Sequence, residues 1–281
     1  MDSKKEILQI DVKSIISKKS PKLAKILPGF VLKYLERILH QEEINTYLRT
    51  DGNKYGLEFV EATIKFMELS VEVKGLENIP AEGRFIFVAN HPLGALESLV
   101  FMKEVSKVYP DLKFPVNDIL MNLKNLEDIF VPINKLGGQS RKAVKELDNI
   151  FASGSQVLFF PAGLCSRKIK GEIIDLEWQK YFVVKAVQSK RDIIPVFIDG
   201  RNSNFFYNLS NFRTALGIKA NIEMLYLVDE MFKQRGQTIK IVFGKPVSSK
   251  IIDNSKSYPE WAQYFKEMSY SLKRVDGFLH K

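Results

Sequence analysis

The sequence predicts an α/β fold, in which a mixed, mostly parallel sheet carries helices on both faces and follows an N-terminal helical segment. From about residue 71, short β-branched or aromatic runs alternate with helical runs, which is the pattern of α/β proteins. Before that point, apolar residues recur at helical spacing among basic residues. We therefore expect a basic, amphipathic helical segment over residues 1–70 and an α/β domain over residues 71–281.

The N-terminal segment is divided by two prolines. Residues 12–40 place apolar side chains at helical spacings, and Pro21 and Pro28 split the run into short amphipathic helices. These helices either form an accessory layer over the main domain or lie on a bilayer surface, and the two roles are compatible. A further helix, roughly Tyr55 to Leu69, leads into the first strand.

The charge of this segment predicts an anionic partner. The chain has a net charge of +9, and residues 1–40 hold nine Lys or Arg against four Asp or Glu. Nucleic acid is not expected as the partner, because the sequence contains no motif that reads RNA or DNA. An anionic membrane face and an acidic carrier protein both fit the charge.

The α/β region has clear strand and helix signals in alternation. The strand-forming runs are residues 71–75, 84–90, 113–117, 129–133, 156–161, 192–198 and 238–244. Amphipathic helices are predicted between them at residues 95–109 and 140–152. No internal repeat or low-complexity linker interrupts the pattern, so we predict one sheet rather than several small domains.

Cysteine and histidine usage argues against a disulfide and against a zinc site. Cys165 is the single cysteine, and the three histidines stand in no metal-ligand spacing. The N-terminal residues MDSKKEILQIDVK lack the apolar core of a secretory signal, and no run of 18 apolar residues follows. We therefore expect a cytoplasmic protein without a metal, held at the membrane only peripherally.

The most informative segment is FVANHPLGALESL, residues 87–99. An apolar strand ends at Asn90 and His91, and a turn then leads into a helix whose first turn contains Glu97. His91 is thus predicted at the carboxyl edge of a sheet, where α/β folds bind ligands, with Glu97 near enough to orient the imidazole. The alternative is that Glu97 only starts a helix and that His91 only hydrogen-bonds to the backbone.

A second candidate loop is FFPAGLCSRK, residues 159–168, which also follows a buried strand. Gly163 permits close backbone approach, and Ser166, Arg167 and Lys168 supply donors for an anionic head group. An ordinary strand exit with a basic surface turn is the alternative. A relay through an acyl-Cys165 intermediate is disfavoured. The aromatic run at residues 199–213 either lines an acyl tunnel, contacts lipid or packs as a buried cluster.

Four short motifs of this sequence resemble, in chain order, the motifs of the lysophospholipid acyltransferase family. The family motifs are N-H-x4-D, a G-x-F-x-x-R type block, F-P-E-G-T-R and a V-P-V/I strand. Their counterparts, within roughly residues 75–247, are Asn90-His91 to Glu97, Phe130 to Lys135, Phe160 to Arg167, and Ile194-Pro195-Val196. Here the first acid is a glutamate one residue late, Ala162 replaces the acid of the third block, and Lys135 replaces arginine. Three segments are similar to the hemolysin-like branch of the family, namely NHPLGALE, FPAGLCSRK and DLEWQKYF. The bacterial enzymes of that branch O-acylate a lyso-aminolipid such as lyso-glycine lipid.

This resemblance implies an O-acyltransferase of membrane lipid biosynthesis that acts at the cytoplasmic face of the inner membrane. His91 would deprotonate the acceptor hydroxyl as it attacks acyl-CoA or acyl carrier protein, with Glu97 orienting the ring and no other cofactor. Backbone N–H groups near Gly163 or in the 91–95 turn would hold the oxyanion. Asn90, Lys135, Gly163, Ser166, Arg167 and Lys168 would bind substrate. The alternatives are a 1-acylglycerol-3-phosphate acyltransferase and a catalytically silent peripheral membrane protein.

Overall fold

The computed structural model describes residues 9–117, 120–133 and 141–277. Helices within these residues are α1 (Val12–Lys19), α2 (Pro21–Ile26), α3 (Gly29–Ile38), α4 (Gln41–Asp51), α5 (Gly56–Phe66), α6 (Leu96–Ser106), α7 (Arg141–Ala152), α8 (Tyr181–Ser189), α9 (Asn204–Ala215), α10 (Leu227–Lys233) and α11 (Tyr258–Ser271). Short 3-10 turns occur at Leu76–Asn78, Leu120–Asn122, Lys124–Leu126, Ile222–Tyr226, Ser249–Ile251 and Leu272–Gly277. None of these helices is long and apolar enough to cross a bilayer.

The strands alternate with these helices, as the sequence predicts. They are β1 (Ser70–Lys74), β2 (Phe85–Ala89), β3 (Leu112–Val116), β4 (Phe130–Pro132), β5 (Gln156–Phe159), β6 (Arg167–Ile169), β7 (Glu172–Ile174), β8 (Asp192–Asp199) and β9 (Thr238–Phe243). Within the described residues, seven of them form a sheet in the order β1-β9-β8-β2-β5-β3-β4. Only the β8–β9 pair in that sheet is antiparallel. The predicted mixed, mostly parallel sheet is confirmed.

The hairpin formed by β6 and β7 was not predicted. Its three-residue strands are too short to show the two-residue alternation that marks a strand in sequence. Lys170 and Gly171 make the turn, and both have positive φ, at 51° and 90°. Residues 166–168, expected in a loop, therefore lead into an antiparallel ribbon outside the main sheet.

Both faces of the sheet are buried against helices. Along β2, Phe85, Phe87 and Ala89 belong to one core cluster, whereas Ile86 and Val88 belong to the other, as the alternation of side chains along a strand requires. The first cluster includes residues of α4, α5, α6 and α10, and the second includes residues of α7, α8 and α11. This packing explains why the central strands are continuous apolar runs.

The N-terminal helices follow the predicted proline boundaries. Helix α2 begins at Pro21, and Pro28 is the residue immediately before α3. Helices α4 and α5 contribute Tyr47 and Phe59 to the first core cluster, so they pack with the sheet. The division of the chain between residues 70 and 71 stays a prediction.

Candidate active site

Asn90 determines how strand β2 ends. Its side-chain Nδ2 donates to the carbonyl oxygen of Ile198 at 2.8 Å, and its Oδ1 accepts from the backbone N–H of Ile198 at 2.7 Å. The side-chain amide thus extends the pairing of β2 with β8 by one step, in place of a peptide group. His91 follows at once and lies just beyond the carboxyl edge of the sheet.

Glu97 orients both the His91 ring and the turn that follows it. Its Oε1 lies 2.9 Å from His91 Nδ1 and accepts from the N–H groups of Leu93 and Gly94, each at 2.7 Å. Its Oε2 accepts from the N–H of Ala95 at 2.9 Å. The Glu97 side chain is 0% exposed. The structure therefore brings the predicted pair together, and Glu97 does more than start a helix.

The carboxylate of Glu97 determines which nitrogen of a neutral His91 ring carries the proton. Burial on its own raises the pKa of the Glu97 carboxyl, but the charge and hydrogen bond of His91 and the N–H groups of Gly94 and Leu93 outweigh burial and lower that pKa. Glu97 is therefore a carboxylate at neutral pH and can only accept, so Nδ1 of a neutral His91 ring carries the proton. Within the described part of the chain, Nε2 has no hydrogen-bond partner.

Two packing contacts hold the His91 turn, residues 91–95, in place. The His91 ring stacks on Phe160 with centroids 4.1 Å apart and an interplanar angle of 18°, and 15% of its side chain is exposed. Gly94 has φ of 91°, and a Cβ there would lie 2.8 Å from Leu227 Cδ1. The turn therefore requires glycine, and it leaves an edge of the imidazole open to solvent.

The donors of the His91 turn are all engaged within the protein. The N–H groups of Leu93, Gly94 and Ala95 donate to Glu97, and that of His91 donates to Asp175. In this arrangement the two buried carboxylates take these donors, and the role of the turn in holding a substrate oxyanion stays a prediction. The N–H of Gly163 likewise donates to the carbonyl of Phe160 at 3.0 Å.

Asp175 is a functional residue that the sequence analysis missed. Its carboxylate accepts from the backbone N–H of His91 at 3.2 Å, from Ser166 Oγ at 2.6 Å and from Trp178 Nε1 at 2.9 Å. The residue is 1% exposed, and burial raises the pKa of its carboxyl against the lowering effect of these donors. Asp175 positions the backbone of His91, whereas Glu97 positions the ring. Its one signal in sequence was the run DLEWQKYF.

The third predicted block lies beside this pair. The N–H of Ser166 donates to the carbonyl of His91 at 2.7 Å, and Ser166 is buried. Arg167 is also buried and donates to the carbonyl of Cys165 and to Glu223, 3.0 Å from its Nη2. Glu223 is buried too and pairs in addition with Arg213. Ser166 and Arg167 therefore support the site from its buried side, and the guanidinium of Arg167 is paired with the carboxylate of Glu223.

The other predicted binding residues are placed less centrally. Gly163 has φ of 66° and turns the chain after Pro161. Lys168 is half-buried in β6. Lys135 lies outside the described residues. Those residues contain no cluster of three or more His, Cys, Asp or Glu side chains arranged for a metal ion.

Cys165 should be dispensable for catalysis. Burial raises the pKa of its thiol to about 11, although Arg167 opposes the shift, so the nucleophilic thiolate is scarce at neutral pH. We expect Cys165→Ser to retain most of the activity, with a modest loss of stability because a hydroxyl enters a packed position. Mass spectrometry of the enzyme with its acyl donor should show no thioester-linked acyl-enzyme, and trapping one would overturn direct attack.

The aromatic run at residues 199–213 separates into two faces. Phe206 and Tyr207 are buried and cluster with Cys165, so for them the packing alternative holds. Phe205 and Phe212 are exposed on the same helix, α9. The rings of Phe206 and Tyr207 pack edge-on against each other with centroids 5.7 Å apart.

Comparisons with known proteins identify the family of this chain. A family model described as acyltransferase matches residues 14–277. The chain belongs to the acyltransferase family. This acyltransferase is 48% identical over 264 residues to the lyso-glycine lipid O-acyltransferase of Bacteroides thetaiotaomicron, a match that covers 94% of this chain and 97% of the relative. It is 46% identical over 267 residues to the enzyme of the same name from Phocaeicola vulgatus, covering 95% and 96%.

Among solved structures, the acyltransferase is similar to the 1-acyl-sn-glycerophosphate (LPA) acyltransferase PlsC from Thermotoga maritima. The TM-score is 0.49 at 18% identity, and the match covers 96% of this chain and 98% of that chain.

Proposed function

We propose that this acyltransferase moves a fatty acyl group from acyl-CoA or acyl carrier protein to the hydroxyl of a lysolipid, with lyso-glycine lipid as the favoured acceptor. The observation that carries the proposal is the His91–Glu97 pair, in which Nδ1 lies 2.9 Å from a buried carboxylate while Nε2 remains open. A general base needs this arrangement. The two relatives named for lyso-glycine lipid support the choice of acceptor.

In the proposed reaction, Nε2 of His91 accepts the proton of the acceptor hydroxyl as its oxygen attacks the thioester carbonyl. The tetrahedral intermediate then collapses, the C–S bond breaks, and the proton passes from His91 to the departing thiolate. Glu97 keeps the ring proton on Nδ1 and stabilises the imidazolium that forms. Asn90 and Asp175 keep the backbone of His91 at the sheet edge while the proton moves.

The surroundings of Arg167 favour a lyso-aminolipid over 1-acylglycerol-3-phosphate. Glu223 is buried and pairs with both Arg167 and Arg213, so its one negative charge leaves this cluster with a single net positive charge. A phosphate monoester carries between one and two negative charges and needs several uncompensated cations, whereas the carboxylate of a glycine headgroup carries one. From the sequence we keep Lys135 as an expected contact of that carboxylate, and we assign a second contact to Lys168, which is half-buried in β6.

The charge of the protein suits its proposed location and its donors. The net charge of +9 attracts the phosphates of CoA, an acidic carrier protein and the anionic lipids of a cytoplasmic membrane face. We therefore place the enzyme peripherally at the cytoplasmic face of the inner membrane. Acyl-CoA and acyl carrier protein are both donors to be tested.

Lipid analysis of a deletion strain tests the acceptor. We expect the diacylated glycine lipid to disappear and its mono-acylated precursor to accumulate, and we expect the gene, but not its His91→Ala variant, to restore the product. In vitro, purified enzyme with lyso-glycine lipid and each donor in turn should give the diacylated lipid by mass spectrometry. Loss of phosphatidic acid instead would identify the phosphate acceptor, and an unchanged lipid profile would show a silent protein.

A further inference from the structure

Large apolar side chains are concentrated on one exposed part of the molecule. Phe30 of α3 is 76% exposed, and Phe212 and Leu216, at the end of α9, are 63% and 60% exposed. Ile26, Tyr34, Phe205, Ile218 and Leu225 are exposed on the same or adjoining elements. Single exposed apolar residues are ordinary, but a concentration of them indicates a contact surface.

Tyrosine contacts join the N-terminal helices to α9 across this surface. The hydroxyl groups of Tyr34 on α3 and Tyr226 lie 2.8 Å apart. The Tyr226 ring packs edge-on against Phe205 at the start of α9, with centroids 4.9 Å apart. These two contacts place α3 and the start of α9 beside the 3-10 turn Ile222–Tyr226, and we call the exposed apolar residues of α2, α3, α9 and this turn the apolar face.

Helix α9 presents this face with helical regularity. Phe205, Phe212 and Leu216 are separated by seven and then four residues, so they lie on the same side of the helix. Phe206 and Tyr207 point to the opposite side and are buried. The outer side of the helix therefore carries large apolar groups that are about half or more exposed, although Phe205 also contacts Tyr226.

The charges around the apolar face are basic. Lys219 is exposed, Arg213 is paired with the buried Glu223, and residues 12–38 contain seven Lys or Arg against one glutamate. The β6–β7 hairpin lies beside α9, where Asn211 Nδ2 donates to the carbonyl of Lys168 at 3.3 Å. An apolar surface bordered by lysines matches the apolar boundary and negative headgroups of an anionic bilayer.

Hydrogen bonds connect the buried side of α9 to the catalytic turn. The hydroxyl of Tyr207 accepts from the N–H of Asn202 at 2.9 Å, and Asn202 Nδ2 donates to the carbonyl of Leu93 at 3.3 Å. Leu93 in turn donates to Glu97. A surface that binds the outer side of α9 would therefore lie close to the His91 turn.

We propose that the apolar face docks on an anionic bilayer, with Phe212 and Leu216 inserted at the headgroup boundary and α9 holding the His91 turn at the lipid surface. This rests on the proposed function in one respect, which is that the acceptor is a membrane lipid. The proposal adds that the catalytic domain contacts the bilayer directly, beside any contact by the N-terminal helices.

The test compares two double variants of the full chain in co-sedimentation with vesicles of phosphatidylcholine and phosphatidylglycerol. Phe212→Ser/Leu216→Ser removes apolar groups from the face. Ile251→Ser/Tyr258→Ser, at positions 42% and 41% exposed and outside the face, is the matched control. We expect the first variant to bind at least about tenfold more weakly, because two side chains no longer insert, and the control to bind like the wild type. Leu225→Ser repeats the test from the 3-10 turn.

Measuring acyl transfer to two kinds of acceptor distinguishes a failure of the docking proposal from a failure of the proposed function. We expect Phe212→Ser/Leu216→Ser to lose transfer to lysolipid in vesicles while retaining transfer to a short-chain, water-soluble lysolipid. A wild type that transfers to neither acceptor would refute the function, yet vesicle binding would still decide the docking surface. Equal binding of both double variants would overturn the docking proposal. So would a dimer in vesicle-free solution that Phe212→Ser/Leu216→Ser dissociates, since the face would then bind a second copy.

Discussion

Replacing His91 by alanine is expected to reduce acyl transfer by at least about 100-fold while leaving the protein folded, because a positioned general base contributes about 10²- to 10⁴-fold. The ring is partly exposed and stacks on Phe160, so its removal opens a small space near the surface. The measurements are initial rates with lyso-glycine lipid and either donor, together with the free energy of unfolding in urea.

His40 offers a matched control within the same chain. Its ring stacks on Phe232 with centroids 4.0 Å apart, and its two nitrogens face Glu43 and Asp229. It thus shares the stacking and carboxylate contacts of His91 but lies at the start of α4. His40→Ala should keep its activity despite a similar loss of stability. If both variants kept full activity, the assignment of His91 as the base would be wrong.

Glu97→Gln should destabilise the protein and slow transfer, though less than His91→Ala does. The glutamine amide presents an N–H donor where the carboxylate accepts from backbone N–H groups, so a buried donor loses its partner and the charge that supports His91 is lost. We expect a destabilisation of about 2–3 kcal/mol and a rate lower by about 10- to 100-fold. Full activity would return Glu97 to the role of a helix-starting acid.

The pH dependence of stability gives a second measurement on Glu97. Because the pKa of this carboxyl is lowered in the folded state, its contribution is fully present above the unfolded pKa and is lost as pH falls through the folded value. The difference in unfolding free energy between wild type and Glu97→Gln should therefore shrink below about pH 4.

Local signals account for the parts of the molecule that the sequence predicted. Each strand of the main sheet is an apolar or β-branched run next to a helical one, and proline boundaries marked α2 and α3. His91 and Glu97 are six residues apart, so a strand end, a turn glycine and a helix start were enough to place them together. The positions of these groups depend on contacts close in the chain.

The missed features depend on contacts between distant residues. Asp175 meets His91 across 84 positions of sequence, and Glu223 meets Arg167 across 56. No periodicity encodes such pairs, so Arg167 looked like a free cation and Asp175 like part of an irregular segment. The donors of the His91 turn depend on both kinds of contact, because three of them donate to the nearby Glu97 and one donates to the distant Asp175.

The anchoring of Asp175 has a consequence for how the enzyme becomes active as it folds. Its N–H donates to the hydroxyl of Tyr270 at 2.8 Å, and its carbonyl accepts from Lys266 Nζ at 2.7 Å. Both partners lie on α11, the last α-helix of the described chain. A growing chain therefore contains His91 and Glu97 long before the segment that steadies Asp175 has been made. Correct placement of the His91 backbone therefore requires α11 to pack on the domain, so the site is completed only after a residue 95 positions beyond Asp175 has been synthesised.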